Sequence, residues 1–200
     1  MKTDRISFTS KINFVDLKTF DKNFRKGKYI ECRENGNDIV IAPEFFTEQV
    51  RTCSGMVLKG LLRKVAGCHR YDNETNYNNL PKFLHDLFEV IKAPDSAIII
   101  GGKDLSDSIY SMPIFKGICE GVKERVPKVT IFGQHRLPWS ESHFHYSAKE
   151  DTMTINSMYR PLTDYREHQV LSKEDLYKAF EYVELADCDT LYIDGKQIFL

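Results

Sequence analysis

An α+β layered sandwich, with mostly antiparallel β-sheets flanked by helices, is the fold class this sequence predicts, and three observations lead to it. Strand-like segments outnumber helix-like ones and fall largely into hairpins. Two amphipathic helical stretches flank one unbroken apolar strand at residues 97–100. No linker-like, repeated or low-complexity stretch divides the 200 residues, so residues 1–200 are expected to form a single domain.

Taken in order, residues 6–14 alternate in the manner of a half-buried strand, and Asp16 can cap a short helix reaching Phe24. Residues 28–32 and 38–41 read as short strands around the turn Glu34-Asn35-Gly36-Asn37. Residues 50–58 and 64–71 form a hairpin. Residues 78–92 carry Leu84, Leu87, Phe88 and Ile91 at helical spacing, with Pro81 in the first turn. After the apolar strand come Gly101-Gly102, which read as a tight strand-to-helix turn. A second helix follows, capped at Ser111 with Pro113 early in it, and ends near Arg125 before Pro127. Residues 129–132 are a strand, residues 143–148 and 152–158 pair across Lys149-Glu150-Asp151, residues 173–183 are a third long helix, and residues 190–193 and 197–199 close the chain as a hairpin. Residues 73–79, 134–142 and 159–167 read as exposed loops.

Composition narrows the function classes. Hydrophobic residues are 42% and charged residues 28%, values of a globular chain that can bury a core. The formal net charge of −1 supplies no field to draw the chain onto nucleic acid or an anionic membrane. No apolar run approaches about 18 residues, and the first fifteen lack a signal peptide's apolar stretch and cleavage site. Five cysteines at irregular spacing, with no C-x-x-C, argue against a disulfide framework or a zinc ribbon. The expected location is cytoplasmic, with export by a route that needs no signal peptide left open.

The hairpin is the segment that could carry chemistry. With the turn centred on Leu61, Val57 faces Val65, Gly55 faces Gly67 and Cys53 faces His69. Directly opposed residues share a face with Cβ atoms roughly 4.5–5.5 Å apart, so a thiol would lie beside an imidazole. The glycine pair would leave a notch for a substrate backbone. Ser54–Cys68 and Met56–Ala66 would point the other way, into the core. An imidazole that takes the thiol's proton makes a nucleophilic thiolate, able to attack an amide carbonyl. A third polar group usually orients the histidine, and Thr47 and Thr52 are the candidates. A single Cys–His pair on adjacent strands is more often structural than catalytic, so the pattern alone does not decide.

The run Thr47, Thr52-Cys53-Ser54-Gly55, a turn and Val65-Ala66-Gly67-Cys68-His69 resembles the chemoreceptor glutamine deamidases (the CheD family) and the catalytic domain of the cytotoxic necrotizing factor toxins. The resemblance spans roughly residues 40–160, and Arg51-Thr52 stand where the first family tends to have Gly-Ser. It implies deamidation of protein glutamines through a thioester, with Cys53 as nucleophile, His69 as base then acid and Thr47 orienting it. It implies a protein substrate presenting a glutamine side chain, and no cofactor and no metal; the charge and hydropathy above lead to the expectation of no nucleic acid and no membrane. A related family, the laccase-domain purine nucleoside enzymes, binds zinc with a similar hairpin, but its Asp before the cysteine and its His-Ala-Gly-Trp-Arg run are missing. That zinc-dependent activity, and a non-catalytic protein-binding module of the same fold, are the alternatives.

Other constellations are weaker. His143-x-His145, with His135 nearby in sequence, could ligate a metal, but solvent-facing histidines on a strand are the simpler expectation. Gly101-Gly102-Lys103 lacks the spacing of a phosphate-binding loop. His85 is expected on an exposed helix face.

Overall fold

The computed structural model describes residues 11–15, 17–34, 39–61, 64–102, 108–133, 140–159, 169–170, 191–193 and 196–198. Two β-sheets stack face to face, with helices on both outer sides, so the molecule is an α+β layered sandwich. In chain order the elements are β1 (Lys11–Phe14), α1 (Leu17–Asn23), β2 (Lys28–Tyr29), β3 (Ile39–Ile41), β4 (Glu44–Val50), β5 (Ser54–Gly60) and β6 (Val65–Arg70). Then come α2 (Glu74–Asn78), α3 (Leu80–Val90), β7 (Pro94–Gly101), α4 (Ser111–Lys123), β8 (Lys128–Gly133), β9 (Ser140–Ser147), β10 (Thr152–Tyr159), β11 (Gln169–Val170), β12 (Leu191–Ile193) and β13 (Lys196–Ile198). The larger sheet runs β13-β12-β1-β10-β9-β4-β2, with β11 also on β10; the smaller runs β3-β6-β5-β7-β8. Most pairings are antiparallel, while β1–β10, β1–β12, β2–β4 and β7–β8 are parallel. Among the described residues no helix is long and apolar enough to cross a membrane.

Side-chain alternation builds both cores. One set of the smaller sheet's side chains, Val57, Val65, Ile98 and Ile100, meets Phe45, Phe144, Tyr146, Met153 and Ile155 of the larger sheet. The alternate set, Met56, Leu58, Ala66, Cys68, Ala97 and Ile99, packs under α3 and α4 through Phe83, Leu87, Ile114, Ile118 and Val122. Strands of the smaller sheet are therefore apolar on both faces, which is why residues 97–100 form an unbroken apolar run. β7, α4 and β8 make a parallel crossover unit.

The hairpin forms, but its register differs from the expected one by two residues. Gly55 pairs with His69, Val57 with Gly67 and Lys59 with Val65. A shift of one residue would have reversed every side chain, whereas a shift of two keeps Val57, Val65 and His69 on one face and Cys68 on the other. The notch expected at Gly55 and Gly67 is filled. A Cβ on Gly55 would come within 2.5 Å of Cε1 of Phe144, and one on Gly67 within 2.5 Å of Cε2 of Phe45. These glycines let rings of the larger sheet approach the hairpin backbone; they do not open a path for substrate.

Three other expectations need correction. The strand expected at residues 50–58 is two strands, β4 and β5, in different sheets, because the chain bends at Arg51–Thr52–Cys53 and crosses the sandwich. Residues 73–79, expected as a loop, contain helix α2, whose first turn is capped by the Asn73 side chain accepting from the Asn76 N–H at 2.8 Å. Ser111 is the first residue of α4 and not its cap; its hydroxyl donates to the Thr52 carbonyl. The helix expected at residues 173–183 lies outside the described residues, as does His135.

His143 and His145 do share a face, but they are not solvent-facing. Both are buried on the outer side of the larger sheet beneath α1, with the His143 ring 5.8 Å from that of Phe20 and the His145 ring 5.5 Å from that of Phe24. His145 Nε2 lies 3.0 Å from a Glu44 carboxylate oxygen. Burial holds the His145 pKa below its ordinary value, partly opposed by Glu44. The folded state thus binds this proton less readily than the unfolded chain does. Its contribution to stability is lost as pH falls below about 6.5, where an unfolded histidine charges. Thermal midpoints measured between pH 7.5 and 5.5 should fall with acidification, and less steeply in His145→Gln. An unchanged slope in the variant would assign the pH dependence to other groups.

Candidate active site between the two sheets

Three segments deliver the expected site residues to one end of the sandwich. Thr47 comes from β4 of the larger sheet, Cys53 from the crossing bend, and His69 from the next-to-last position of β6. A bulge in β4 separates Thr47 from the crossing. There the register with β9 shifts between Thr47 and Val50, and Gln49 takes a left-handed φ of 59°. Such a bulge re-aims the strand, here turning it out of its sheet toward β5. The bend is held from several sides. Thr52 Oγ1 donates to Asp72 at 2.8 Å, Ser111 holds the Thr52 carbonyl, and Gly101 packs against the Cys53 carbonyl. A Cβ on Gly101 would lie 2.8 Å from that oxygen, and its φ of +148° suits glycine, so no other residue fits there without displacing Cys53.

The Thr47 hydroxyl decides the state of the imidazole. It donates its one proton to the Ile30 carbonyl at 2.8 Å, and it lies 2.7 Å from His69 Nδ1. With its proton on the Ile30 carbonyl, the oxygen accepts from the ring, and Nδ1 is then the nitrogen that carries hydrogen. In the neutral ring the lone pair is then on Nε2, which is buried and has no hydrogen-bond partner. Thr52, the other candidate for this role, is turned to Asp72 instead.

Cys53 is 6% exposed and His69 1%. The Cys53 sulfur, that of Cys32 and a ring nitrogen of His69 all lie within 4.8 Å of one another. Cys32, just past β2, places its Sγ 3.6 Å from that of Cys53, and both thiols are free. Asp72 Oδ1 is 3.7 Å from the Cys53 sulfur, and Asp72 also accepts from Ser108. The Cys53 pKa is raised, first by the hydrogen bond with the adjoining Cys32 thiol and then by burial, with His69 opposing both. Cys53 therefore rests as a neutral thiol, and making it a nucleophile requires a base within reach. The nearest ring to the sulfur among these groups is that of His69, one nitrogen of which lies within 4.8 Å of it.

Cys32, Asp72 and Ser108 join the site without a signal in the local sequence. Cys32 was visible only as one of five scattered cysteines, at the end of an expected strand. Asp72 lies three residues after His69, beyond the end of β6, where strand periodicity carries no information. Cys68 and Cys119 belong to the core under the helices, away from the site. His85 lies on an exposed face of α3, as expected. A cavity of about 180 Å³, lined by Lys59, Leu61, Val65, Asp95, Tyr146 and Lys149, sits at the far end of β5 from Cys53. Lys59 is paired there with Asp151 at 2.7 Å, so its charge is already compensated.

No protein-family model matches the chain, and no curated protein matches it in sequence.

Proposed function

We propose that the protein is a cysteine-dependent amidohydrolase, and that its substrate is the carboxamide of a glutamine side chain on another protein. The observation that carries this reading is the convergence of the Cys53 sulfur with a ring nitrogen of His69, within 4.8 Å, on a ring whose Nδ1 is held by Thr47 and whose Nε2 is buried without a partner. The step from cysteine hydrolase to glutamine deamidase rests on the resemblance of the Thr47, Cys53 and His69 pattern to the chemoreceptor deamidases.

The chemistry follows in two stages. His69 Nε2 accepts the Cys53 proton as the sulfur attacks the glutamine carboxamide carbon, and a C–S bond forms. The tetrahedral oxyanion collapses, the C–N bond breaks, and the imidazolium gives its proton to the departing ammonia. A thioester remains on Cys53. Water, losing a proton to Nε2, then attacks the thioester; the C–S bond breaks, the thiol is restored, and the product is glutamate. Throughout, Thr47 keeps Nδ1–H engaged so that only Nε2 exchanges protons. The test is to incubate the purified protein with a cell extract and count glutamine-to-glutamate conversions by mass spectrometry, against the same extract treated with Cys53→Ser.

A further inference from the structure

We propose that Cys32, Cys53 and His69 form a binding site for a thiophilic dication of the zinc class. Two sulfurs ligating one tetrahedral zinc at about 2.3 Å each stand about 3.8 Å apart. The two sulfurs here are 3.6 Å apart with no disulfide between them, and the histidine nitrogen completes a triangle with no side above 4.8 Å. The two sulfurs are thus already at the separation of a tetrahedral edge, with the ring nitrogen within reach of the same ion.

Two further features fit the same ion. A metal-ligating imidazole usually donates its second nitrogen's hydrogen to a fixed acceptor, and Nδ1–H of His69 does so to Thr47. Its Nε2 is buried, unpartnered and left as the donor atom. Charge also balances. Two thiolates and a neutral imidazole offset a dication, so the occupied site would be neutral overall in a buried location. Binding would release two thiol protons and change no oxidation state. The fourth position falls to water, which keeps the site neutral, since Asp72 is already engaged by Thr52 and Ser108. The histidine pair at His143 and His145 has no comparable geometry. Among the described residues, the group of three potential ligands that converges is the one at Cys32, Cys53 and His69.

Occupancy would also tie up Cys53 and Nε2 together. The claim that the ion silences catalysis rests on the hydrolase reading above; the claim that it binds does not. Full-length reduced protein, stripped with a chelator, should be titrated with cobalt(II) without oxygen. The expected result is one equivalent bound with thiolate-to-cobalt charge-transfer absorption, removed by one equivalent of zinc. Cys32→Ser and Cys53→Ser should each weaken binding by at least about tenfold, the scale on which a lost partner registers in metal sites, while Cys119→Ser should not. As a measurement independent of variant folding, one equivalent of zinc should protect both Cys32 and Cys53 of the wild-type chain from alkylation, read by peptide mapping. Absence of the charge-transfer band, or equal alkylation of both thiols with and without zinc, would overturn the site. Failure of the metal-free protein to convert glutamine would instead count against the hydrolase reading, leaving the titration to decide the metal.

Discussion

Replacing Cys53 with serine should abolish glutamine conversion, by about 10⁴-fold or more, while circular dichroism and the unfolding midpoint stay close to those of the parent. A serine hydroxyl at neutral pH is a much weaker nucleophile than a thiol, and His69 cannot make up the difference. His69→Ala should do comparable damage, because the neutral Cys53 thiol has no other base at Nε2's position. The double variant should be little worse than either single one, since the two groups act as a unit and their losses do not add. Cys68→Ser is the control. Cys68 is one residue from His69 but faces α3 and α4, so it should cost packing and leave turnover intact. Loss of conversion in Cys68→Ser with retention in Cys53→Ser would reverse the face assignment.

The second large effect belongs to Thr47. Thr47→Val preserves shape and removes both hydrogen bonds of the hydroxyl, so Nδ1 loses its acceptor and the Ile30 carbonyl its donor. The buried groups left unpaired should cost about 1–3 kcal/mol of stability. Turnover should fall by about 10- to 100-fold, the scale on which orienting partners of functional histidines act. The ring would be free to place its hydrogen on either nitrogen, so the acidic limb of the pH–rate profile should move as well. A merely structural Thr47 would lower stability and leave that limb in place. Thr47→Ser keeps the hydroxyl and should restore both the rate and the profile. An unchanged profile in Thr47→Val would remove Thr47 from the mechanism.

Much of the fold was legible because its signals are periodic. The apolar run at residues 97–100, the stripe through Leu84, Leu87, Phe88 and Ile91, and the alternation around His143 and Met153 mark β7, α3, β9 and β10. The face of His69 was legible for a related reason: side-chain parity along β6 survives a two-residue error in register, although the expected pairing of His69 with Cys53 did not, because Cys53 lies in the bend before β5. What the sequence hid is long-range. Nothing local marks residues 50–54 as a crossing between sheets, because the bulge at Gln49 depends on the pairing of β4 with β9. The burial of His143 and His145 depends on α1 folding across them from over a hundred residues away. Cys32 reaches Cys53 from 21 residues upstream through the parallel pairing of β2 with β4, a contact no spacing rule anticipates.

If Cys53 is a nucleophile worked by His69, its acyl intermediate can be trapped. Metal-free, reduced protein should be exposed briefly to a small activated ester, quenched in acid and mapped by mass spectrometry. The acyl group should appear on Cys53 in the wild-type chain, decay on longer incubation as His69 activates water, and fail to form in His69→Ala. Acylation confined to surface lysines, or equal labelling of Cys53 with and without His69, would mean that Cys53 is not a nucleophile activated by this histidine.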